Sequence, residues 1–307
     1  MSPLSLRVLT SNIRYAAPGD TYEKPWSVRG PLLIKTVSDL AASATARNTI
    51  PIIGMQEVLH GQLLDILTGL NNNDKNKSTD NSNADSKRNE EWNYIGTGRD
   101  DGDEKGEYCP ILYQPGRAKL LSSTQKWLSR TPDEPSFWPG AGGRRYVLVA
   151  VFEDVRDGGT GSRFIVANTH LDNASSEARS EGVRIVLSVI RDVQTRFGPG
   201  LPVVLSGDLN SEPGQDAYEA VVKDGYLADS WALAGEGEGV IVGAYETYTG
   251  FDPGEIEDVK ARIDFLWLGP TTADRWTVSR YEVVDNVVDG VFFSDHRPVF
   301  VDVALKI

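Results

Sequence analysis

The feature that most constrains this chain is a set of short apolar segments, rich in β-branched and aromatic residues, with turn residues at their ends. Such segments are typical of β-strands. Eight strands are predicted, at residues 5–14, 50–58, 145–155, 163–172, 201–208, 263–268, 279–284 and 298–305. The fold must therefore be built around β-sheets.

Three segments with apolar residues at helical spacing lie between some of these strands. One helix is predicted to begin at Pro31, the clearest covers about 175–197, and a third begins near Pro213. Strand–helix–strand therefore occurs twice, as 5–58 and as 163–210. Two sheets built from such halves predict an α+β sandwich with its helices outside, whose polar strand ends meet at one edge.

One long segment does not fit this pattern. Residues 71–91, NNNDKNKSTDNSNADSKRNEE, contain almost no apolar side chain. Such a composition cannot bury enough surface to offset the entropy of ordering, and it predicts a disordered surface insertion. No domain linker is found elsewhere, so residues 1–307 are predicted to form a single domain.

Charge and cysteine content limit the partners and the compartment of the chain. The formal net charge is −13, and an acidic surface repels polyanions, so extended binding to duplex DNA is not expected. No run of 18 apolar residues and no signal-peptide pattern is present. The single cysteine, Cys109, excludes an intrachain disulfide and favours a reducing compartment. We expect a cytoplasmic protein, a monomer, without membrane association.

Residues able to do chemistry follow, or lie within, six of the apolar segments. They are Asn12, Glu57, His170 with Asp172, Asp208 with Asn210, Asp264, and Asp295 with His296. Any one of them is compatible with an ordinary turn, but six in one chain favour a shared site. Asp264 lies inside its apolar segment, and a buried carboxylate needs a histidine or a cation as partner.

The residue types in this set indicate the kind of reaction. Carboxylate and amide oxygens suit Mg²⁺ or Mn²⁺, whereas one cysteine and three dispersed histidines do not provide a zinc site. Histidine donors neutralise charge on a phosphoryl oxygen, and a carboxylate orients or deprotonates water for in-line attack. The set therefore predicts a phosphoester hydrolase that uses Mg²⁺ or Mn²⁺.

Six motifs carry a family resemblance that extends over about residues 5–305. In chain order they are SNIR, GMQE, NTHLD, SGDLN, RIDFLW and SDHRPV. They resemble the endonuclease/exonuclease/phosphatase superfamily, and NIRYAAPGD and GRDDGDEKGE are most similar to a poorly characterised microbial and fungal branch of it. The resemblance implies a DNase I-like fold, a four-layered α/β/β/α sandwich in which two mixed β-sheets pack face to face.

The resemblance also implies where a metal and a phosphate bind. Asn12 and Glu57 correspond to the metal ligands of the family, with Asp295 nearby. His170 corresponds to a residue that contacts the scissile phosphate.

Four further residues take catalytic roles by the same resemblance. Asp208 would orient or deprotonate the attacking water, and Asn210 would bind a phosphate oxygen. Asp264 would pair with His296, fixing its tautomer and favouring its charged form. His296 would then stabilise the pentacoordinate phosphate. Family members differ over which group is the base, so that choice stays open.

Four residues are candidates for binding the rest of the substrate. Asp172 binds the leaving group or a neighbouring side chain, or else forms a turn or salt bridge. Arg145 and Arg99 reach a phosphate or are surface cations. The glycine-rich acidic segment GTGRDDGDEKGEY, which contains Arg99, is predicted to be a substrate-side loop, with Glu107 and Tyr108 near the site.

Three functions are compatible with these residues. The preferred one is a metal-dependent phosphoesterase for a small or medium-sized monoester or diester, since no stretch interleaves basic and aromatic residues as polynucleotide grooves do. The alternative is a Mg²⁺-dependent nuclease acting on DNA or RNA. A remote third is a binding module that has lost catalysis.

Overall fold

A computed structural model describes residues 2–17, 22–77, 91–252, 260–273 and 275–306 of the chain. Within these residues the strands form two large sheets and one small hairpin. The strands are β1 Ser5–Asn12, β2 Ile50–Gln56, β3 Asn93–Ile95, β4 Ile111–Tyr113, β5 Ala118–Trp127, β6 Tyr146–Asp154, β7 Arg163–His170, β8 Val203–Asp208, β9 Ala228–Asp229, β10 Val240–Val242, β11 Asp264–Gly269, β12 Trp276–Val283, β13 Val287–Val288, β14 Val291–Phe292 and β15 Val299–Leu305.

Both large sheets are mixed. The first has the strand order β10-β12-β15-β1-β2-β4-β3, and the second has the order β5-β6-β7-β8-β11-β9. The pairs β1–β2 and β7–β8 are parallel, whereas most of their neighbours are antiparallel. Strands β13 and β14 form the separate hairpin.

Most of the helices cover the outer faces of the sheets, and the helix Ser230–Glu236 packs against the core between them. The helices are α1 Trp26–Thr45, α2 His60–Lys77, α3 Ser176–Phe197, α4 Asp216–Asp224 and α5 Ser230–Glu236, with a 3₁₀ turn at Thr271–Ala273. One apolar core lies between the sheets. A second lies between the six-stranded sheet and α3 with α4, and a third between the seven-stranded sheet and α1 with α2. The predicted four-layered α/β/β/α sandwich is confirmed.

The two strand–helix–strand halves bring the strand ends to one edge. When a helix connects two neighbouring strands of one sheet, the two strands run parallel, so their carboxyl ends lie side by side. Asn12 stands opposite Gln56 at the end of the β1–β2 pair, and His170 stands opposite Asp208 at the end of the β7–β8 pair. The functional candidates of each sheet therefore emerge together.

Several boundaries differ from those predicted. Helix α1 begins at Trp26, so Pro31 lies in its second turn, where it removes one backbone hydrogen bond. Strand β5 was not predicted. Helix α2 extends to Lys77, so residues 71–77 of the predicted insertion are helical, and residues 78–90 lie outside the described part of the chain. Among the described helices, none has the length and apolar character needed to span a bilayer.

Candidate active site

Three site residues lie in one row across neighbouring strands of the six-stranded sheet. His170 on β7 is paired with Asp208 on β8, and Asp208 is paired with Asp264 on β11. All three side chains are buried. Residues paired in this way project from the same face of a sheet, so the register of two strand pairs is sufficient to bring them together.

Asn12 joins this row to the other sheet. Its Nδ2 atom donates to Asp208 Oδ2 at 3.0 Å and to Glu57 Oε1 at 3.1 Å. Glu57 follows β2 with a φ of 59°, a left-handed conformation that is costly for a side chain of this kind and is frequent at functional sites. Its other oxygen accepts from the backbone N–H of Tyr15 at 3.2 Å. The Asn12 amide therefore donates hydrogen bonds to one carboxylate from each sheet.

Asp208 is the centre of the site. Its Oδ2 atom lies 3.5 Å from His170 Nε2 and 3.9 Å from His296 Nε2. Burial and the nearby Asp264 raise the pKa of Asp208 to about 7, against the opposing effects of His296 and Asn12. A carboxyl group with this pKa can exchange a proton near neutral pH.

His296 pairs with Asp264, as predicted. The distance between Nδ1 and Asp264 Oδ2 is 2.8 Å, and both side chains are buried. Burial alone lowers the pKa of His296, but the Asp264 carboxylate raises it to about 10, so the ring is an imidazolium at neutral pH. Thr247 supports this strand, since its hydroxyl accepts from the backbone N–H of Asp264 at 3.0 Å. The ring of Tyr248 meets His296 edge-on at 5.0 Å. Sequence reasoning missed Thr247 and Tyr248.

Asp295 lies at the same end of the sandwich as Asn12. The neighbouring Ser294 hydroxyl donates to the backbone carbonyl of Asn12 at 2.7 Å, which ties the two loops together. Burial raises the pKa of Asp295, and the nearby Glu57 raises it further, whereas His296 and Arg14 lower it. Glu57 and Asp295 are therefore two carboxylates close enough to repel each other.

His170 is surrounded by polar groups. Arg145 Nη1 lies 2.9 Å from its Nδ1, and Asn210 Nδ2 lies 3.0 Å from its Nε2. Burial and the positive charges of Arg145 and Arg99 hold the pKa of His170 well below its usual range. The two histidines therefore differ in charge, since His296 is protonated and His170 is neutral.

Asn210 reaches the site for a different reason from the one predicted. The expectation was that alternation along an extended strand puts Asp208 and Asn210 on one side. The strand ends at Asp208, and Asn210 has a φ of 48°, which asparagine tolerates better than most residues. Asp208 Oδ1 accepts from the backbone N–H of Asn210 at 2.8 Å, and this tight turn directs the amide toward His170.

The substrate-binding candidates divide into two groups. Asp172 accepts four backbone N–H bonds at 2.8–3.2 Å, from Gly142, Gly143, Ala174 and Ser175, and these favour its predicted role in a turn. These bonds lower the pKa of Asp172 although burial opposes them. Arg99 and Arg145 lie near His170 together with Glu107, whose Oε2 is 2.7 Å from Arg99 and 4.0 Å from His170 Nδ1.

Tyr108 is directed away from this cluster. Its hydroxyl donates to the carbonyl of Asp103 at 3.0 Å and lies 2.9 Å from His60 Nδ1. The structure gives it no contact with His170 or Asp208. Its predicted contact with substrate remains a prediction.

Arg29 is a buried residue that sequence reasoning missed. Its guanidinium donates to the backbone carbonyls of Ile13, Arg14 and Tyr15 at 2.6–2.9 Å and to that of Phe293 at 3.2 Å. It therefore ties the loop after Asn12 to the loop before Asp295 and His296. No motif signals this, because the partners are main-chain atoms.

Two sets of residues are able to hold a metal ion. Ligand atoms of Asp208, Asp264 and His296 all lie within 4.8 Å of one another. However, His296 uses Nδ1 on Asp264 and carries a positive charge, and a protonated ring has no free lone pair for a metal. Asn12, Glu57 and Asp295 offer only oxygen ligands, which suits Mg²⁺ or Mn²⁺, and the Asn12 oxygen, which accepts from the backbone N–H of Arg14 at 3.0 Å, has a second lone pair.

Comparison with solved structures gives matches over the whole chain. A Bacteroides thetaiotaomicron protein of the endonuclease/exonuclease/phosphatase family has a TM-score of 0.78 and 27% identity, with 100% of each chain covered. A mannosyl-6-phosphatase from the same species has a TM-score of 0.76 and 28% identity over 98% of this chain and 100% of that one. The human Nocturnin catalytic domain has a TM-score of 0.63, with 99% of this chain and 94% of that one covered, and at 17% identity it shows the fold alone.

Comparison with curated sequences gives a shorter match. Human 2′,5′-phosphodiesterase 12 is 34% identical over 94 residues, which are 29% of this chain and 15% of the relative. The chain therefore aligns with only a small part of that relative's length. No protein-family model matches the chain.

Proposed function

We propose that this chain, a member of the endonuclease/exonuclease/phosphatase superfamily, is a divalent-metal-dependent hydrolase of small or medium-sized phosphate esters. The observation that carries the proposal is the Asn12 amide, which bonds a carboxylate from each sheet beside two histidines in opposite charge states. Phosphoryl transfer to water requires hydrogen-bond donors and a base around one point. Here the neutral donor is His170, the charged donor is His296, and the base of intermediate pKa is Asp208.

The local charge supports a bound cation. Glu57, Asp208, Asp264 and Asp295 bring four carboxyl groups to one end of the sandwich, and burial raises the pKa of two of them. His296 balances one of these charges. Asn12, Glu57 and Asp295 would hold Mg²⁺ or Mn²⁺, and such an ion would polarise a phosphoryl oxygen and neutralise charge that develops on it.

The remaining residues act on water and phosphate. Asp208 orients a water molecule for in-line attack and takes its proton, because its pKa of about 7 is suited to a base at neutral pH. His296 donates from its charged ring to an equatorial oxygen of the phosphate. Asn210 and neutral His170 donate to other oxygens of the same group. Each donor is held by a buried partner, so little reorganisation is needed as charge develops.

A small substrate is favoured over a long polyanion. The mannosyl-6-phosphatase matches nearly the whole chain at 28% identity, and this site would accept a sugar phosphate as a phosphomonoester. The net charge of −13 opposes the approach of extended duplex DNA. We also propose a cytoplasmic monomer that does not bind membranes.

One observation favours a second candidate. The 94-residue match to a 2′,5′-phosphodiesterase at 34% identity supports cleavage of short oligonucleotide diesters. The same donors and base would serve, since a diester differs at the reacting phosphorus by one esterified oxygen.

A substrate panel tests the proposal. Mannose 6-phosphate, other sugar phosphates, inositol phosphates, 2′,5′- and 3′,5′-linked oligonucleotides and plasmid DNA are incubated with enzyme and Mg²⁺, Mn²⁺ or EDTA. We expect release of inorganic phosphate from a monoester and complete loss of activity in EDTA. Asp208→Asn should lower kcat by at least about 10²-fold, since it removes the base. The matched control is Asp39→Asn, the same change on an exposed surface of α1. Activity that persists in EDTA would refute metal dependence, and cleavage confined to oligonucleotides would favour the second candidate.

A further inference from the structure

Arg145 lies behind His170 as seen from Asp208. Its Nη1 donates to His170 Nδ1 at 2.9 Å, and its Nη2 donates to Asn173 Oδ1 at 3.1 Å. The side chain is 9% exposed. Its two terminal nitrogens are therefore engaged within the protein, and this position differs from that of a cation reaching into solvent for a phosphate.

We propose that Arg145 is a positioning residue that fixes His170 in the neutral tautomer with its proton on Nε2, directed at Asp208 and the reacting phosphate. A guanidinium has five donors and no acceptor, so the Nδ1 atom that it contacts must supply a lone pair. A neutral imidazole then carries its single proton on the other nitrogen. The consequence for catalysis rests on the proposed function, but the tautomer itself does not.

One contact competes with this assignment. Asn210 Nδ2 lies 3.0 Å from His170 Nε2, and an amide N–H donated there would require Nε2 to be unprotonated. Asn210 has another acceptor, the carbonyl of Leu171 at 3.1 Å. Arg145 has no acceptor atom, so Nδ1 must accept the hydrogen bond between them. Asn210 can donate its N–H to the Leu171 carbonyl instead, so Nε2 is free to carry the ring proton. Asp208 Oδ2, at 3.5 Å from Nε2, is the acceptor that the ring proton then faces.

The charges around His170 act in the same direction. On the Nδ1 side are Arg145 and, at 4.0 Å, Glu107, which is itself paired with Arg99. On the Nε2 side are Asp208 and beyond it His296. Burial and the positive charges of Arg145, Arg99 and His296 disfavour a second proton on the ring.

The two histidines are held in different charge states by their Nδ1 partners. Asp264 accepts from Nδ1 of His296 and keeps that ring charged. Arg145 donates to Nδ1 of His170 and keeps that ring neutral. Both rings present an Nε2–H to the space around Asp208 Oδ2. The neutral ring of His170 does so without adding a positive charge that would compete with a metal ion for the same carboxylates.

Imidazole NMR tests the tautomer directly, because the chain has only three histidines. The protein is labelled with ¹⁵N-histidine, and long-range ¹H–¹⁵N spectra are recorded from pH 6 to 8 without added metal. Single His→Gln variants of the three positions assign the signals. In the unmodified protein, His170 should show the Nε2–H pattern throughout this range. A protonated Nδ1 or an imidazolium ring at His170 would overturn the proposal.

Two arginine variants then identify the cause. Arg145→Met should release the constraint on Nδ1, so that His170 shows mixed Nδ1–H and Nε2–H tautomers, while burial still keeps the ring neutral. Arg144→Met removes the same charge from the adjacent, more exposed position and should leave the His170 pattern unchanged. An unaltered His170 spectrum in Arg145→Met would refute the role of Arg145. If that variant does not fold, the spectrum of the unmodified protein still decides the tautomer.

Kinetics separate positioning from substrate binding. For any ester that the panel identifies, Arg145→Met should lower kcat about 10–100-fold, as loss of a residue that orients a histidine does, with KM changed less than about threefold. A rise in KM at constant kcat would mean that Arg145 binds substrate, and it would overturn the positioning role. If the panel identifies no substrate, the proposed function fails, and the NMR result stands independently of it.

Discussion

Replacement of Arg29 by methionine should destabilise the protein more than loss of any surface charge. Arg29 lies on the inner side of α1, is 1% exposed, and binds carbonyl groups from two separate loops. Methionine fills a similar volume but donates no hydrogen bond. The loops that Arg29 joins would then have to find water for their carbonyls or remain unpaired.

The magnitude follows from the number of bonds that are buried. Two of the four, to the carbonyls of Ile13 and Phe293, are fully buried, and two are partly buried. An unsatisfied buried acceptor costs about 1–3 kcal/mol. The two fully buried carbonyls therefore account for about 2–6 kcal/mol. Domains are typically stable by about 5–15 kcal/mol, so this single change removes a large share of the total.

Urea unfolding followed by tryptophan fluorescence measures the effect. We expect the free energy of unfolding to fall by about 2–6 kcal/mol in Arg29→Met and by less in Arg29→Lys, which keeps the charge and has fewer donors. The control is Arg47→Met, since Arg47 is 55% exposed and its pair with Asp302 should contribute no more than about 1 kcal/mol. A loss in Arg29→Met no larger than in Arg47→Met would refute the reasoning.

Three other changes test the site and its surroundings. Asp264→Asn removes the charge that holds the pKa of His296 at about 10, so the alkaline limb of kcat/KM against pH should move down by at least about two units; an unchanged limb would contradict the pairing. In Gly207→Ala the new Cβ would lie 2.3 Å from the carbonyl oxygen of Thr169, so thermal denaturation should show a loss of about 1–3 kcal/mol; an unchanged melting temperature would contradict the close strand contact. Burial raises the pKa of Cys109 to about 12, so a disulfide reagent should label no thiol in the native protein and one in urea; rapid native labelling would show that the core opens there.

The sequence predicted those parts of the site that depend on strand ends. Once two strand–helix–strand halves are recognised, parallel pairing brings the end of β1 beside that of β2 and the end of β7 beside that of β8. The cost of burying the Asp264 carboxylate predicted a histidine or a cation as its partner, and the family resemblance named His296. The strand pairing needs only periodicity, which a sequence displays directly, whereas the choice of His296 needed the motif SDHRPV.

Other parts depend on contacts that no periodicity encodes. Arg29 binds main-chain carbonyls, which every residue possesses. The role of Arg145 depends on which side of His170 it approaches. Strand β5 is an edge strand in which only the first and last of ten residues are buried, six are half-buried, and Lys119 and Ser123 are exposed, so its sequence lacks the apolar signal of a core strand.

The site is a property of the contact between the sheets and of neither sheet alone. Between the sheets lies a layer of buried polar side chains, in which Gln56 donates to Asn168 Oδ1 at 2.8 Å and Asn168 Nδ2 donates to the carbonyl of Met55 at 2.8 Å. Gly54 leaves the room for them, since a Cβ there would lie 2.4 Å from the Ser206 hydroxyl. Apolar side chains could slide past one another at little cost, whereas each of these bonds is satisfied in only one alignment. That alignment also sets the distance from Asn12 to Asp208, so the buried amides serve catalysis by fixing how the two sheets meet.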